Sequence, residues 1–239
     1  MMKKRFEKGY GKTLRGMFYL VNPVKKRIME TNCIVHKYID YKAIDILNFD
    51  GYKVESLFLK KHIESINEGV KWADQDFKST NHFYSIVKGR GLFGFSNALT
   101  ECIKYYNSSI NYYDAGDIKK SMFYLGAACH LIQDTTVPQH VNNKLLKEHR
   151  KFELWIIGKY MSDKSFIAES GLIKYGTIDE FIRKNAEMAN KTYRKYFKIC
   201  NQDDRYLKIA TTILKEAQRT TAGFMLFFFN NIELNKKIN

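Results

Sequence analysis

Only two prolines, Pro23 and Pro138, interrupt this 239-residue chain, so long helices are permitted almost throughout. The four cysteines (Cys33, Cys102, Cys129, Cys200) form no C-x-x-C pair and no tight framework. That excludes a disulfide scaffold and leaves free thiols of a reducing compartment or small buried hydrophobes. Long apolar runs are missing as well. Phe224–Phe229 is far too short to span a bilayer and reads as the buried stripe of a core helix. No Pro/Gly/Ser-rich linker, internal repeat or low-complexity tract divides the chain. Acidic residues are few: 25 against 40 Lys and Arg, a formal net charge of +15. Such a balance favours polyanionic partners, anionic lipid headgroups or nucleic acid, without choosing between them. The basic start of the chain contains only the short apolar run Met17–Val21, below the length of a signal-peptide core. No export signal is expected, so location by sequence reads as cytoplasmic.

What is present points to helices. Hydrophobic residues make up 45% and charged residues 27%, ordinary for a globular protein that can bury a sizeable core. Residues 1–30 are basic and weakly patterned. From Thr31 onward, Ile34, Tyr38, Tyr41, Ile44 and Leu47 recur at helical intervals. Further helices are expected at about 54–70, 95–114, 117–135, 147–159, 178–198 and 204–233, with loops at 71–93 and 161–176. No segment shows sustained β alternation. The expected architecture is all-α: a basic extension over 1–30 and one helical domain over 31–239.

The chemistry is concentrated in CHLIQDTTVPQHVNNKLLKEHRKFE. His130, Asp134, His140, His149 and Glu153 fall within 24 residues, and every one is a side chain that binds transition metals. His130 and Asp134 are four apart, as are His149 and Glu153, so on a helix each pair shares a face one turn apart. Pro138 breaks the helical pattern between them and lets His140 approach from a separate direction. A lone His–Asp pair at this spacing is ordinarily a surface hydrogen bond. Three of the chain's six histidines in one window are not so easily dismissed. Three or more N and O ligands, with no thiolate, suit zinc in a catalytic setting. His36, on the first helix, and Asp74 with His82, in the long loop, can complete such a centre. On chemistry alone Asp76 could stand in for Asp74, since both are carboxylates in one loop.

Several ordered segments resemble the zinc-dependent phospholipase C family. FYLGAACHLIQDTTVPQH is similar to that family's YLG-x-x-x-H-x-x-x-D-x-x-x-P-x-H signature, and HRKFE to its H-x-x-x-E. HKYIDYKAIDIL resembles the first-helix motif, and EGVKWAD followed by HFY the loop. The resemblance implies three zinc ions. Asp74, His82, His130 and Asp134 would hold one; His140, His149 and Glu153 a second. His36 and Asp134 would contribute to the third, with Asp134 bridging two metals, and His62 is left over. It also implies hydrolysis of a glycerophospholipid to diacylglycerol and a phosphorylated headgroup by a zinc-activated water, with Asp74 as the base. The substrate partner would then be a membrane surface, and the family is typically secreted.

Departures from the pattern carry expectations of their own. The family completes its third site with an N-terminal Trp, and no Trp precedes His36 here. Cys33 and Asn32, one turn before His36, are candidates for that place. Gln75 and Ser79 stand where the choline-preferring enzyme has aromatic residues, so two cation–π faces for choline are missing and the headgroup is left open. Two other functions fit the same cluster. One is a nuclease of the S1/P1 type, with nucleic acid as substrate, although the nine-residue interval from His140 to His149 and a terminal Glu153 favour the phospholipase. The other is an inactive zinc- or lipid-binding relative.

Overall fold

The computed structural model describes residues 33–75, 78, 81–85, 96–142 and 145–238. The 1–30 extension, the Asn22-Pro23 region, Asn32, Asp76 and Ser79 lie outside the described residues. Those described form helices joined by turns and loops, in the order α1 (Ile34–Phe49), α2 (Lys53–Lys61), α3 (Ile63–Ala73), α4 (Ala98–Asp114), α5 (Ile118–Asp134), α6 (Pro138–Val141), α7 (Leu146–Ile157), α8 (Ile178–Tyr196) and α9 (Gln202–Ile238). A 3-10 turn at Lys164–Phe166 punctuates the connection from α7 to α8.

Side-chain caps explain several of the starts. Asn97 accepts from Thr100 N to open α4, and Asp117 accepts from Lys120 N to open α5. Thr177 and Glu180 form a reciprocal capping box at α8. The expected helix over 54–70 is two helices. The backbone leaves helical geometry at His62, whose N–H turns back to Leu59 O, and α3 then runs on to Ala73. No Pro or Gly marks that break. It is a tertiary effect, because α2 packs on α1 while α3 packs along α5.

α3 and α5 approach so closely that glycine is required on both. A Cβ on Gly69 would lie 1.8 Å from Phe123 O, and one on Gly126 would lie 2.0 Å from Ile66 O. The neighbours are main-chain atoms and cannot step aside. This reciprocal contact sets the ends of α3 and α5 side by side, and both ends carry site residues.

One large apolar cluster joins Ile46, Leu47, Ile66, Leu125, Leu131, Phe181, Phe224 and Phe228. A second joins Ile39, Phe152, Phe166, Tyr206 and Ile213, seating α7 on α9. The Phe224–Phe229 run is core, as its periodicity implies, with Phe224 and Phe228 fully buried. Among the described residues no helix is long and apolar enough to cross a membrane.

Candidate metal centre

α3 and α5 both end at the site, and the negative ends of their helix dipoles favour positive charge there. Asp74 caps α3 and Asp134 is the last residue of α5. Beyond Asp134, Thr135 and Thr136 turn their hydroxyls back onto Ile132 O and Gln133 O, which closes the helix. Val137 is extended, as a residue before proline must be, and Pro138 starts the single turn α6 that presents His140. Asn185 of α8 donates to Ile132 O and holds the end of α5 from the far side. His149 and Glu153 share one face of α7, while Phe152 and Ile156 on another face are buried in the second cluster.

Asp134 is the hub. Its Oδ1 lies 3.5 Å from His36 Nε2, and its Oδ2 lies 2.8 Å from His82 Nδ1, 3.1 Å from His130 Nε2 and 3.7 Å from His140 Nδ1. None of these approaches gives the buried Oδ2 an aligned hydrogen bond, and His140 Nδ1 is also left without one. His130 Nε2 and His82 Nδ1 are themselves 3.2 Å apart. A buried carboxylate oxygen left without an aligned hydrogen bond among imidazole nitrogens is what a cation would satisfy.

Among the described residues, three sets of side chains converge closely enough to hold an ion: His36 with His130 and Asp134, Asp74 with His82 and His130, and His140 with His149 and Glu153. All eight expected ligands are therefore in these groups, and His130 takes part in two. His140 Nε2 meets His149 Nε2 at 2.8 Å, and the latter meets Glu153 Oε1 at 2.9 Å. His62 lies apart, between α2 and α3, with its ring against Phe58. Cys33 belongs to none of the three groups. Its thiol donates to Asp74 Oδ2 at 3.5 Å from a left-handed backbone (φ 44).

The outer nitrogens matter as much as the inner ones. His82 Nε2 donates to Ala73 O at 3.0 Å, which turns Nδ1 toward Asp134. His36 directs Nδ1 to Gln133 Oε1 at 2.8 Å, which leaves Nε2 toward Asp134. A hydrogen-bonded outer N–H with a bare inner nitrogen is how proteins present histidine to a metal. The donor set fits zinc.

Electrostatics follow from burial and company. Burial opposes the Asp134 charge, yet His140, His130 and His82 together hold its carboxyl well below the usual range. Burial drives His140 well down. For His130 burial is outweighed by Asp134, and for His149 by Glu153, so both are held up. Burial also pushes the Cys33 thiol far up, with the Asp74 charge adding to it, so the thiol stays neutral.

Three neighbours of the site were not anticipated. Phe83 stacks on His140 with ring centroids 5.1 Å apart. Asp40 is entirely buried beside Gln133, which bonds it at 2.7 Å. Asp40 follows His36 by four residues, the same helical interval that marks His130 and Asp134, so it carried a readable signal. Gln133 and Phe83 carried none.

A family model described as zinc dependent phospholipase C matches residues 35–217. No curated protein gives a significant sequence match. Among solved structures, the alpha toxin from Clostridium absonum superposes with a TM-score of 0.72 at 19% identity, covering 83% of this chain. A Clostridium perfringens alpha-toxin from the avian strain SWCP superposes with a TM-score of 0.70, again at 19% identity and over 83% of this chain. The chain spans 63% of the length of each toxin, and at this identity the likeness is one of fold.

Proposed function

From the premise that the chain belongs to the zinc dependent phospholipase C family, we propose that it hydrolyses the phosphodiester of a glycerophospholipid, releasing diacylglycerol and a phosphorylated headgroup. The observation that carries this reading is the convergence of eight metal-ligating side chains, in three groups, around the deeply buried Asp134.

In this reading Asp74, His82, His130 and Asp134 hold one ion, His140, His149 and Glu153 a second, and His36 with Asp134 a third. Asp134 would serve more than one group of ligands, because its two oxygens face different histidines: His36 at Oδ1, and His82, His130 and His140 at Oδ2. Bound zinc would supply positive charge to the phosphate oxygens and lower the pKa of a bound water. The chain's own groups do the rest. Asp74, half-buried at the C-terminal end of α3, orients the attacking water and accepts its proton at a carboxylate oxygen. His82, with its outer nitrogen tied to Ala73 O, is fixed in orientation. Phe83 covers one face of His140 and keeps water off it. Exposure rises from Asp134, at 3%, through His36 and His149, at 21% and 22%, to Glu153, at 48%, so the ligands on α7 are open to solvent while the hub is not.

The test is mass-spectrometric product analysis after incubating zinc-loaded protein with liposomes of mixed headgroups. Diacylglycerol with a matching phosphorylated headgroup, abolished by a chelator, is the expected result and names the preferred lipid. Cleavage of single-stranded DNA or RNA with no lipid product would assign the same centre to a nuclease instead.

A further inference from the structure

Gln133 sits between two groups that share a face of α1. Asp40 follows His36 by one turn and is entirely buried, a place where a carboxyl needs a donor. Gln133 Nε2 donates to Asp40 Oδ1 at 2.7 Å, while Gln133 Oε1 lies 2.8 Å from His36 Nδ1. An amide donates from one end and accepts at the other. With its nitrogen committed to Asp40, Gln133 offers His36 an oxygen, and an oxygen can only accept. His36 then carries its proton on Nδ1 and keeps a lone pair on Nε2. That Nε2 faces Asp134 Oδ1 at 3.5 Å.

We propose that Asp40 and Gln133 are positioning residues that hold His36 in the tautomer able to bind a cation at Asp134. This rests on the metal reading above. His82 solves the same problem with a main-chain carbonyl, Ala73 O, which cannot change its orientation. His36 relies on a side-chain amide, and an amide can flip. Asp40 removes that freedom, because a flipped Gln133 would set its own oxygen against Asp40 Oδ1. Oδ1 is an acceptor when Asp40 is ionised and when its proton sits on Oδ2, and in both forms Gln133 Nε2 is the end that faces it. Both residues are buried, with Gln133 at 1% exposure, so solvent does not compete for either bond.

Histidine ring nitrogens report this directly by nitrogen-15 NMR in the metal-free protein, with zinc titrated in afterwards. The His36 signals are assigned by their loss in His36→Ala. The native chain should show a protonated Nδ1 and a bare Nε2 at His36. Asp40→Leu should lose that preference and bind one of its ions about ten- to a hundredfold more weakly, the others unchanged. Gln133→Met cuts the bridge from its other end and should reproduce both effects; it decides the matter if Asp40→Leu does not fold. The double variant should be no worse than either single one. A purely structural bridge between α1 and α5 would lower stability and leave the tautomer alone, and that result overturns the proposal. A native protein that binds no zinc overturns the metal reading instead, and the tautomer comparison still decides the role of Asp40.

Discussion

At the scale of single residues, this centre gathers eight side chains that can ligate a metal around one buried carboxylate. Asp74 is the sharpest test of the chemistry assigned to it. Asp74→Asn should keep most of the bound zinc, because the amide oxygen can still ligate, yet lose about 100- to 10,000-fold in turnover, since an amide takes no proton. Zinc counting beside an assay of phospholipid turnover checks both halves, and full activity would remove Asp74 from the mechanism. Asp40 makes a different prediction. Burial pushes its carboxyl up to about 8 from 3.8, against the Gln133 hydrogen bond and the His130 charge. An acid with a raised native pKa keeps its proton in the folded state while the unfolded chain has lost it. The native state then binds more protons across the interval, and stability falls as pH rises from about 4 to 8. In metal-free protein Asp40→Asn, which cannot ionise, should melt with a shallower loss over that window. Thermal melts at several pH values should show the gap moving in the variant's favour toward pH 8, and parallel curves would refute the assignment.

At the scale of elements, the pairing of α3 with α5 positions the site. Gly126→Ala would place a Cβ 2.0 Å from Ile66 O, and only a separation of the two helices can relieve it. A loss of about 1–3 kcal/mol is expected in urea unfolding. Weaker zinc binding should accompany it, because Asp74, which caps α3, shares a candidate metal group with His130 of α5. The helices themselves were largely legible, since apolar periodicity and caps act locally. The α2–α3 break at His62 was not, because its cause is the divergence of two packing partners. Pro138 was readable as an interruption, but not as the first residue of the turn that aims His140.

At the scale of the whole molecule, the formal +15 charge makes anionic surfaces attractive. Leu154, Ile157 and Met161 are exposed on and just beyond α7, the helix that carries His149 and Glu153, with exposed Lys151 and Lys159 close in sequence. Binding to vesicles rich in anionic lipid should therefore exceed binding to neutral ones and weaken as salt rises from about 0.05 to 0.5 M. Vesicle co-sedimentation measures this. Affinity indifferent to both lipid charge and salt would leave the basic surface without a role at the membrane.

Spacing within one helix is local geometry, so the His130–Asp134 and His149–Glu153 pairs, the all-α class and the reach of the core stripes were all determined by the sequence alone. Which nitrogen of each histidine turns inward was not. That choice depends on a partner from another element: Ala73 O for His82, and Gln133, held in turn by Asp40, for His36. The convergence on both oxygens of Asp134 likewise depends on how closely two helix backbones can approach. Two glycines permit that approach, and only the packed chain brings them face to face.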